Sequence, residues 1–317
     1  MSKKGYLRLF FPSIAAVITL ILQLNLSNGI VEFKQIPSYY DKALMLIIPL
    51  TLLAAVSYLK WQKPAKYLHK AWFYGAVLLA LSLYNILSQK LALINQQVFP
   101  TIDKMINVYV VDGQFLLQND LSTVSMLIIG VLIGGVIGIA TGTLMGWYTS
   151  WFYWLDPIVR AFGPTPVVIL IPIIFNIFPT TYSSAIFVIV LAMWFPTIVM
   201  TNSGVQNLKK TYFEIADVLG ASNFQKIIRV ALPGALPNIF VGLFSGICSA
   251  FSAVVISEQM GVGQGLGYYI NAQKQVMNYQ NVYAALFLMA FTFSLVIAIL
   301  FKFRSHFLRW QKGFIKW

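Results

Sequence analysis

The chain reads as an all-α polytopic membrane protein on three observations. Of its 317 residues, 59% are hydrophobic and only 10% charged, whereas soluble domains carry about a quarter charged residues. Eight segments are apolar enough for a bilayer core that takes about 20 helical residues per crossing: residues 9–26, 43–59, 71–87, 121–147, 161–178, 183–201, 236–256 and 284–303. With the N-terminus inside, only Lys34, Lys42, Lys90, Lys104 and Lys274 of the 22 Lys and Arg fall on the external side. That asymmetry is the positive-inside pattern and puts both termini in the cytoplasm. The net charge of +13 is therefore a topology signal rather than a nucleic-acid footprint.

The first segment is too long for a cleavable signal, and no small-x-small cleavage site follows it. The second and third are the shortest, which leaves an interfacial placement open for one of them. Lys60, Lys63, Lys66 and Lys70 form a basic cytoplasmic hairpin between them. The division expected is an accessory membrane region of three helices over 1–90, an external connector over 91–120 and a five-helix transmembrane domain over 121–317. The single Cys248 lies in a span and excludes an intrachain disulfide.

In the fourth segment Gly130, Gly134, Gly138, Gly142 and Gly146 recur every four residues. That spacing lines one helix face and lets a neighbouring backbone approach closely, as tight packing within the subunit or as a sliding surface. Pro164, Pro166 and Pro172 fall in the fifth segment and Pro196 in the sixth. Proline frees a carbonyl and bends a helix, so these positions suit a pathway lining or a structural kink. Asn176 reads as polar lining or as glue between helices.

Between the sixth and seventh segments lies a polar loop, about 205–233, too polar for hydrocarbon. Val205, Leu208, Tyr212, Ile215, Ala216 and Leu219 recur at helical spacing, with Glu214 and Asp217 off that face. Gly220 supplies a stop, because it takes left-handed angles without a Cβ clash. Ser222 and Gln225 form an S-x-x-Q capping box for a second helix carrying Phe224, Ile227, Ile228, Ala231 and Leu232 on one stripe. Pro233 is expected to end that helix. Beyond the seventh segment, Glu258 precedes Gly261, Gly263, Gly265 and Gly267. An ionisable group near membrane depth faces a partner or a water-filled cavity. Glu258 is then either buried under a folded-back glycine run, ordering an external gate, or an ordinary interfacial acid.

Glu214-Ile215-Ala216, then Gly220, then Val230-Ala231-Leu232-Pro233 resembles the EAA loop of permease subunits in binding-protein-dependent ABC importers. Ile215 replaces the usual first Ala and Val230 the usual Ile, while Glu214, Ala216, Gly220, Leu232 and Pro233 match. The resemblance covers roughly 115–317. Leu155-Asp156-Pro157, Pro164-x-Pro166 and Ser257-Glu258 with Gly265-Leu266-Gly267 bring it closest to the nitrate, sulfonate, taurine and bicarbonate subgroup. It implies a type I ABC-importer permease core, here with extra N-terminal transmembrane helices, in the cell membrane. It also implies a cytoplasmic ABC ATPase dimer on the loop, which binds ATP and Mg, and an extracytoplasmic solute-binding protein. A second permease copy, identical or related, would complete the pathway. The substrate implied is a small anion, and close relatives carry nitrogenous vitamin precursors.

No G-x-x-x-x-G-K-[ST] occurs, so the chain lacks a P-loop. The glycine run follows no strand and is not a dinucleotide fingerprint. His69 and His306 lack H-E-x-x-H or Cys companions, so no metal site is expected, and no catalytic residue is assigned. A gradient-driven secondary transporter would carry ionisable residues within its spans, which these lack apart from their ends. In a Cys248→Ser background, Asn95→Cys is expected to react with an impermeant thiol reagent added outside, and Ser2→Cys to stay protected; the reverse pattern inverts the topology.

Overall fold

Long apolar runs satisfy their backbone polar groups in a bilayer only as helices or closed barrels. The computed structural model describes residues 3–29, 36–61, 65–163 and 165–309, with side chains described for 9–29, 36–57, 70–163 and 165–309; among these residues no strand occurs. The chain divides into two compact units: Met1–Gln114 with Gln273–Ala284, and Phe115–Ala272 with Ala285–Trp317.

The first unit is built on α1 (Lys3–Asn25), α2 (Tyr39–Trp61), α3 (Ala65–Asn85) and α4 (Ile102–Val111). Helix α1 packs against both α2 and α3. Ser13 donates to Thr51 at 3.0 Å, and Gly75 leaves room for the Phe11 ring, which lies 4.4 Å from that of Trp72. Asp103 is buried and accepts from the Tyr40 N–H at 2.7 Å and from Gln89 at 3.0 Å. These two bonds tie the starts of α2 and α4 to the end of α3. The stretch expected as a connector over 91–120 is thus largely ordered. It contains α4 and the first residues of the next helix, and the units divide at Gln114 rather than at 120. Polar residues mislead here because Asn119 and Asp120 find hydrogen-bond partners within the fold, Asp120 through Oδ2.

The second unit comprises most of α5 (Gly113–Trp147), then α6 (Thr149–Phe162), a 3-10 turn (Val167–Leu170) running into α7 (Ile171–Ile177), α8 (Thr181–Gln206), α9 (Lys210–Val218), α10 (Asn223–Lys226), α11 (Leu232–Ser257), most of α12 (Leu266–Gln275) and most of α13 (Tyr279–Phe307). Helix α8 lies between α5 and α11. On the α5 side, a Cβ added at Gly134 would sit 2.6 Å from the Val190 carbonyl oxygen, and one at Gly142 would sit 2.8 Å from that of Ile198. Gly138 and Gly146 face the Thr197 and Val205 Cβ atoms at 2.7 Å, and Gly130 faces Ile189. On the α11 side, Gly242 and Gly246 receive Met200 and Met193 in the same way. The glycine stripe is therefore filled by α8 of the same chain. Around it, Ile189, Ala192, Met193, Ala250 and Val254 form the buried core.

Two expectations change. Among the described residues six helices are long and apolar enough to cross a membrane, or seven if the bent pair 149–162 and 167–177 counts as one span, and Leu9–Asn25, the part of α1 whose side chains are described, matches the first expected segment. The fifth expected span, 161–178, is not one continuous helix: it holds the end of α6, the 3-10 turn and α7, and 149–162 meets 167–177 at 89°. Pro166 caps the 3-10 turn and Pro172 sits in the first turn of α7, where a missing N–H costs nothing. The second correction concerns Pro233, which does not end the loop's second helix. A π turn, Ile227–Ala231, joins α10 to α11, with the Leu232 N–H bonding the Ile227 carbonyl. Such a widened turn shifts the hydrogen-bond register by one residue and moves carbonyls away from the proline ring.

Gly134→Ala and Gly142→Ala are expected to destabilise the purified protein by about 1–3 kcal/mol, the usual cost of overpacking. A backbone carbonyl cannot rotate out of the way as a side chain can. Gly113→Ala, which meets nothing within 4 Å, serves as the control. Thermal unfolding read by gel filtration checks this, and equal midpoints for all three would refute the tight α5–α8 contact.

Candidate functional site

The polar loop is built by its own local chemistry. Helix α9 ends in a Schellman motif, in which the Ala221 N–H bonds the Ala216 carbonyl at 2.9 Å and the Gly220 N–H bonds that of Asp217 at 2.9 Å. Gly220 takes φ +73, an angle costly for a residue with a Cβ. Ser222 then caps α10: its hydroxyl accepts from the Gln225 N–H at 3.3 Å, and the Gln225 side chain accepts from the Ser222 N–H at 2.9 Å. Lys226 reaches back across the turn to Asp217 at 2.7 Å, holding the two helices together. The base of the loop packs on its own unit. Leu208 and Phe213 join Val205, Ala231, Ala235 and Ile239, and the Phe213 ring meets Trp147 edge-on at 5.3 Å.

The expected apolar stripe splits between two directions. Val205 and Ala216 are buried within the chain, so the Ala216 methyl packs inward. Tyr212, Ile215, Val218, Leu219 and Phe224 are exposed, Val218 at 88% and Leu219 at 79%, and Glu214 is exposed beside them. Leu232 and Pro233 open α11. An uncovered group of large apolar side chains on a charged loop marks an interaction surface.

A second constellation surrounds Glu258, which is fully buried. Thr123 donates to its Oε1 at 2.7 Å, and the Gly267 N–H donates to its Oε2 at 2.6 Å. The Leu266 N–H bonds Thr123 Oγ1 at 2.8 Å, and the Gly265 N–H bonds Asn119 Oδ1 at 2.9 Å. The first N–H groups of α12 thus meet a carboxylate and its two polar neighbours, which suits the positive end of a helix dipole. Gly265, at φ +109, has no room for a Cβ because the Glu258 carboxyl occupies that space. A Cβ at Gly267 would lie 2.5 Å from the Val255 carbonyl oxygen. Glu258 therefore faces the protein's own backbone donors, and the glycines let the chain wrap over it. Nearby in the same unit, Asp120 is buried and accepts from Thr292 at 3.1 Å.

Of the remaining candidates, Pro164 lies outside the described residues. Pro166 lines a cavity of about 240 Å³ with Thr165, Pro196 and Ser249. Asn176 is exposed and donates to the Pro172 carbonyl of its own helix at 2.7 Å, so it joins no second helix. Asn119 and Thr123 carry the contacts to the glycine run and escaped the sequence reading. Their signal is a polar pair four residues apart at the mouth of an apolar helix, a spacing that puts both on one face.

The family model described as binding-protein-dependent transport system inner membrane component matches residues 117–312, most of the second unit. This chain belongs to that family. Among curated relatives, the nitrate import permease protein NrtB of Leptolyngbya laminosa is 35% identical over 142 residues, 45% of this chain and 51% of that one. The putative aliphatic sulfonates transport permease protein SsuC of Bacillus subtilis is 28% identical, covering 59% of this chain and 67% of that one. The formylaminopyrimidine transport permease protein ThiX of Halalkalibacterium halodurans is 28% identical over 60% of this chain and 76% of its own length. The chain thus spans about half of the first relative. An inward-facing structure of the MetNI methionine ABC transporter superposes with a TM-score of 0.54 at 19% identity, covering 61% of this chain and 96% of that one. The permease-family fold is thereby present, and the family match begins at residue 117.

For this permease-family chain, Glu258→Ala would leave the Gly267 N–H without its acceptor, at about 1–3 kcal/mol for a buried unsatisfied group. Glu258→Gln keeps one oxygen for that N–H and is expected to cost less, because the Thr123 hydroxyl can turn and accept. Proteolysis within 259–266 on the purified protein reads the turn directly. Cleavage rising in the order parent, Gln, Ala is expected; identical cleavage in all three would mean that the carboxylate does not hold it.

Proposed function

We propose that this chain is the permease subunit of an ATP-driven importer that carries a small oxyanion into the cytoplasm by alternating access. The observation that supports it most is the exposed apolar face of Tyr212, Ile215, Val218, Leu219 and Phe224, set on a capped and ion-paired helix pair with Glu214 beside it. A separate ATPase dimer, binding ATP and Mg, is the partner for that face. A solute-binding protein delivers the anion on the other side, and a second permease copy completes the path, with both termini in the cytoplasm. The accessory role of 1–90 and the gate role of Glu258, Gly265 and Gly267 belong to the same reading.

The mechanism follows from one continuous lever. Helices α10 and α11 run without interruption from Asn223 to Ser257 through the π turn, roughly 50 Å at 1.5 Å per residue. Closure of the ATPase dimer would draw the loop helices together. The lever carries that displacement to Glu258, which holds the start of α12. Two arrangements of these rigid parts, biased by ATP on one side and the loaded binding protein on the other, make a two-state device. The nitrate and sulfonate relatives favour an anion. The formylaminopyrimidine relative keeps a neutral nitrogenous precursor as the second reading.

Leu219→Asp and Val218→Asp place a charge on a face that the chain leaves open, so the permease should still insert and purify. Each is expected to lower retention of the ATPase on affinity-purified permease by tenfold or more, since burying an unpaired charge costs about 3–5 kcal/mol. Gly220→Val, disfavoured at positive φ, should keep the ATPase but lower uptake per ATP hydrolysed. Normal retention in both Asp variants together with normal coupling in Gly220→Val would overturn the assignment of the loop. In proteoliposomes with the binding protein, uptake of labelled nitrate or methanesulfonate supports the anion, and uptake of a formylaminopyrimidine alone supports the second reading.

A further inference from the structure

Two adjoining cavities flank Pro196 of α8, one of about 240 Å³ and one of about 530 Å³, sharing Gly163, Phe195 and Pro196 in their walls. Both lie wholly within the second unit. Their walls are mostly apolar, with a few polar side chains set among them. Ser245 lines the larger cavity, and Ser249 and Ser252 line the smaller. The spacing of four and three residues puts all three hydroxyls on one exposed face of α11. The hydroxyls of Ser245 and Ser252 bond no protein group among the described residues, whereas Ser249 donates to the Ser245 carbonyl at 3.2 Å. Asn202 lines the larger cavity with its amide oxygen buried and unpartnered among the described residues. A buried polar atom left unpaired is costly, and a row of hydroxyls facing lipid gains nothing from being there.

The larger cavity also contains one cation. Arg160 lines it beside Asp156, and the Arg160 Nε lies 2.7 Å from Asp156 Oδ2. That contact uses one of the five guanidinium N–H donors and leaves the planar fork of the terminal nitrogens for a second oxygen-bearing group. The Arg160 side chain is 75% exposed and that of Asp156 21%, so the pair is screened and an arriving anion can share the guanidinium without breaking it. Asp156 also cancels most of the local charge. A site of this balance attracts an oxyanion and releases it again, as conduction through a pathway requires.

We propose that the two cavities form a transit site for a small soluble oxyanion, with Arg160 as its charged ligand, Asp156 orienting the guanidinium, and Asn202, Ser245 and Ser252 as the hydrogen-bonding walls. The proposal rests on the importer reading above. It adds where the anion is held within this chain. A phosphate headgroup from the surrounding lipid presents the same chemistry, so the test separates the two sources.

The test uses the complete complex, with ATPase and binding protein, in liposomes of phosphatidylcholine alone or with added phosphatidylglycerol. Uptake of nitrate and methanesulfonate is measured per ATP hydrolysed. Arg160→Gln is expected to lower that ratio about tenfold, the equivalent of losing one charge-assisted contact. Arg160→Lys should fall between, because a point charge lacks the fork. Independently, Ser249→Cys in a Cys248→Ser background should react with an anionic thiol reagent severalfold more slowly when nitrate is present, in phosphatidylcholine alone. Arg160→Gln should abolish that protection, a result that needs no transport. Protection lost with Arg160 supports the site even if the variant transports poorly for other reasons. Nitrate without effect on labelling, or protection appearing only with phosphatidylglycerol, would overturn it. A parent complex that carries no oxyanion at all would defeat the anion reading itself, and the transit site with it; parental uptake with an unaffected Arg160→Gln would defeat the transit site alone.

Discussion

Close backbone approach along α8 is the constraint on which the second unit depends. Helices in hydrocarbon gain nothing from hiding apolar side chains from one another, so their association rests on contact area and small residues. Glycines of α5 on one side and of α11 on the other bring their backbones up to the α8 backbone and Cβ atoms. The fit also uses hydrogen bonds: Trp194 donates to Thr141 at 3.0 Å, joining α8 to α5, while Thr197 returns its proton to the Met193 carbonyl of its own helix at 2.7 Å. With α8 held so tightly, the cavities beside Pro196 have fixed walls.

Hydrogen-bond networks shape the two ends of this unit. At one end the Schellman turn, the capping box and the Lys226–Asp217 pair shape a helix pair whose outer side chains remain uncovered. At the other end Glu258 is taken out of water, which is tolerable only because backbone N–H groups and Thr123 replace the lost hydration. The continuous α10–α11 rod joins the two ends. A helix terminating at Pro233 would have placed a hinge between them. The π turn instead accommodates the proline and keeps the rod whole.

The first unit follows a different logic. Its helices carry fewer glycines and meet through side chains, as at Phe11 and Trp72 or Ser13 and Thr51. Its buried polar network centres on Asp103, with Gln89 and the Tyr40 N–H. A run of residues that composition marks as a loop is therefore held by hydrogen bonds together with the burial of Met105 and Val108.

Local chemistry was legible without coordinates. A positive-φ turn at Gly220, the Ser222–Gln225 capping box and the close-packing face of Gly130 to Gly146 each follow from neighbours within one helical turn, so the order of residues specifies them. The break in the fifth expected span and the continuation of the helix through Pro233 were not decided at that range. Each depends on whether a distant segment covers a face or accepts a freed carbonyl. Burial of Glu258 under Gly265 and Gly267 likewise requires Asn119 and Thr123, more than 130 residues away in sequence, and no local pattern registers such a partner. Periodicity identifies which residues share a face, but only the packed tertiary structure decides what that face meets.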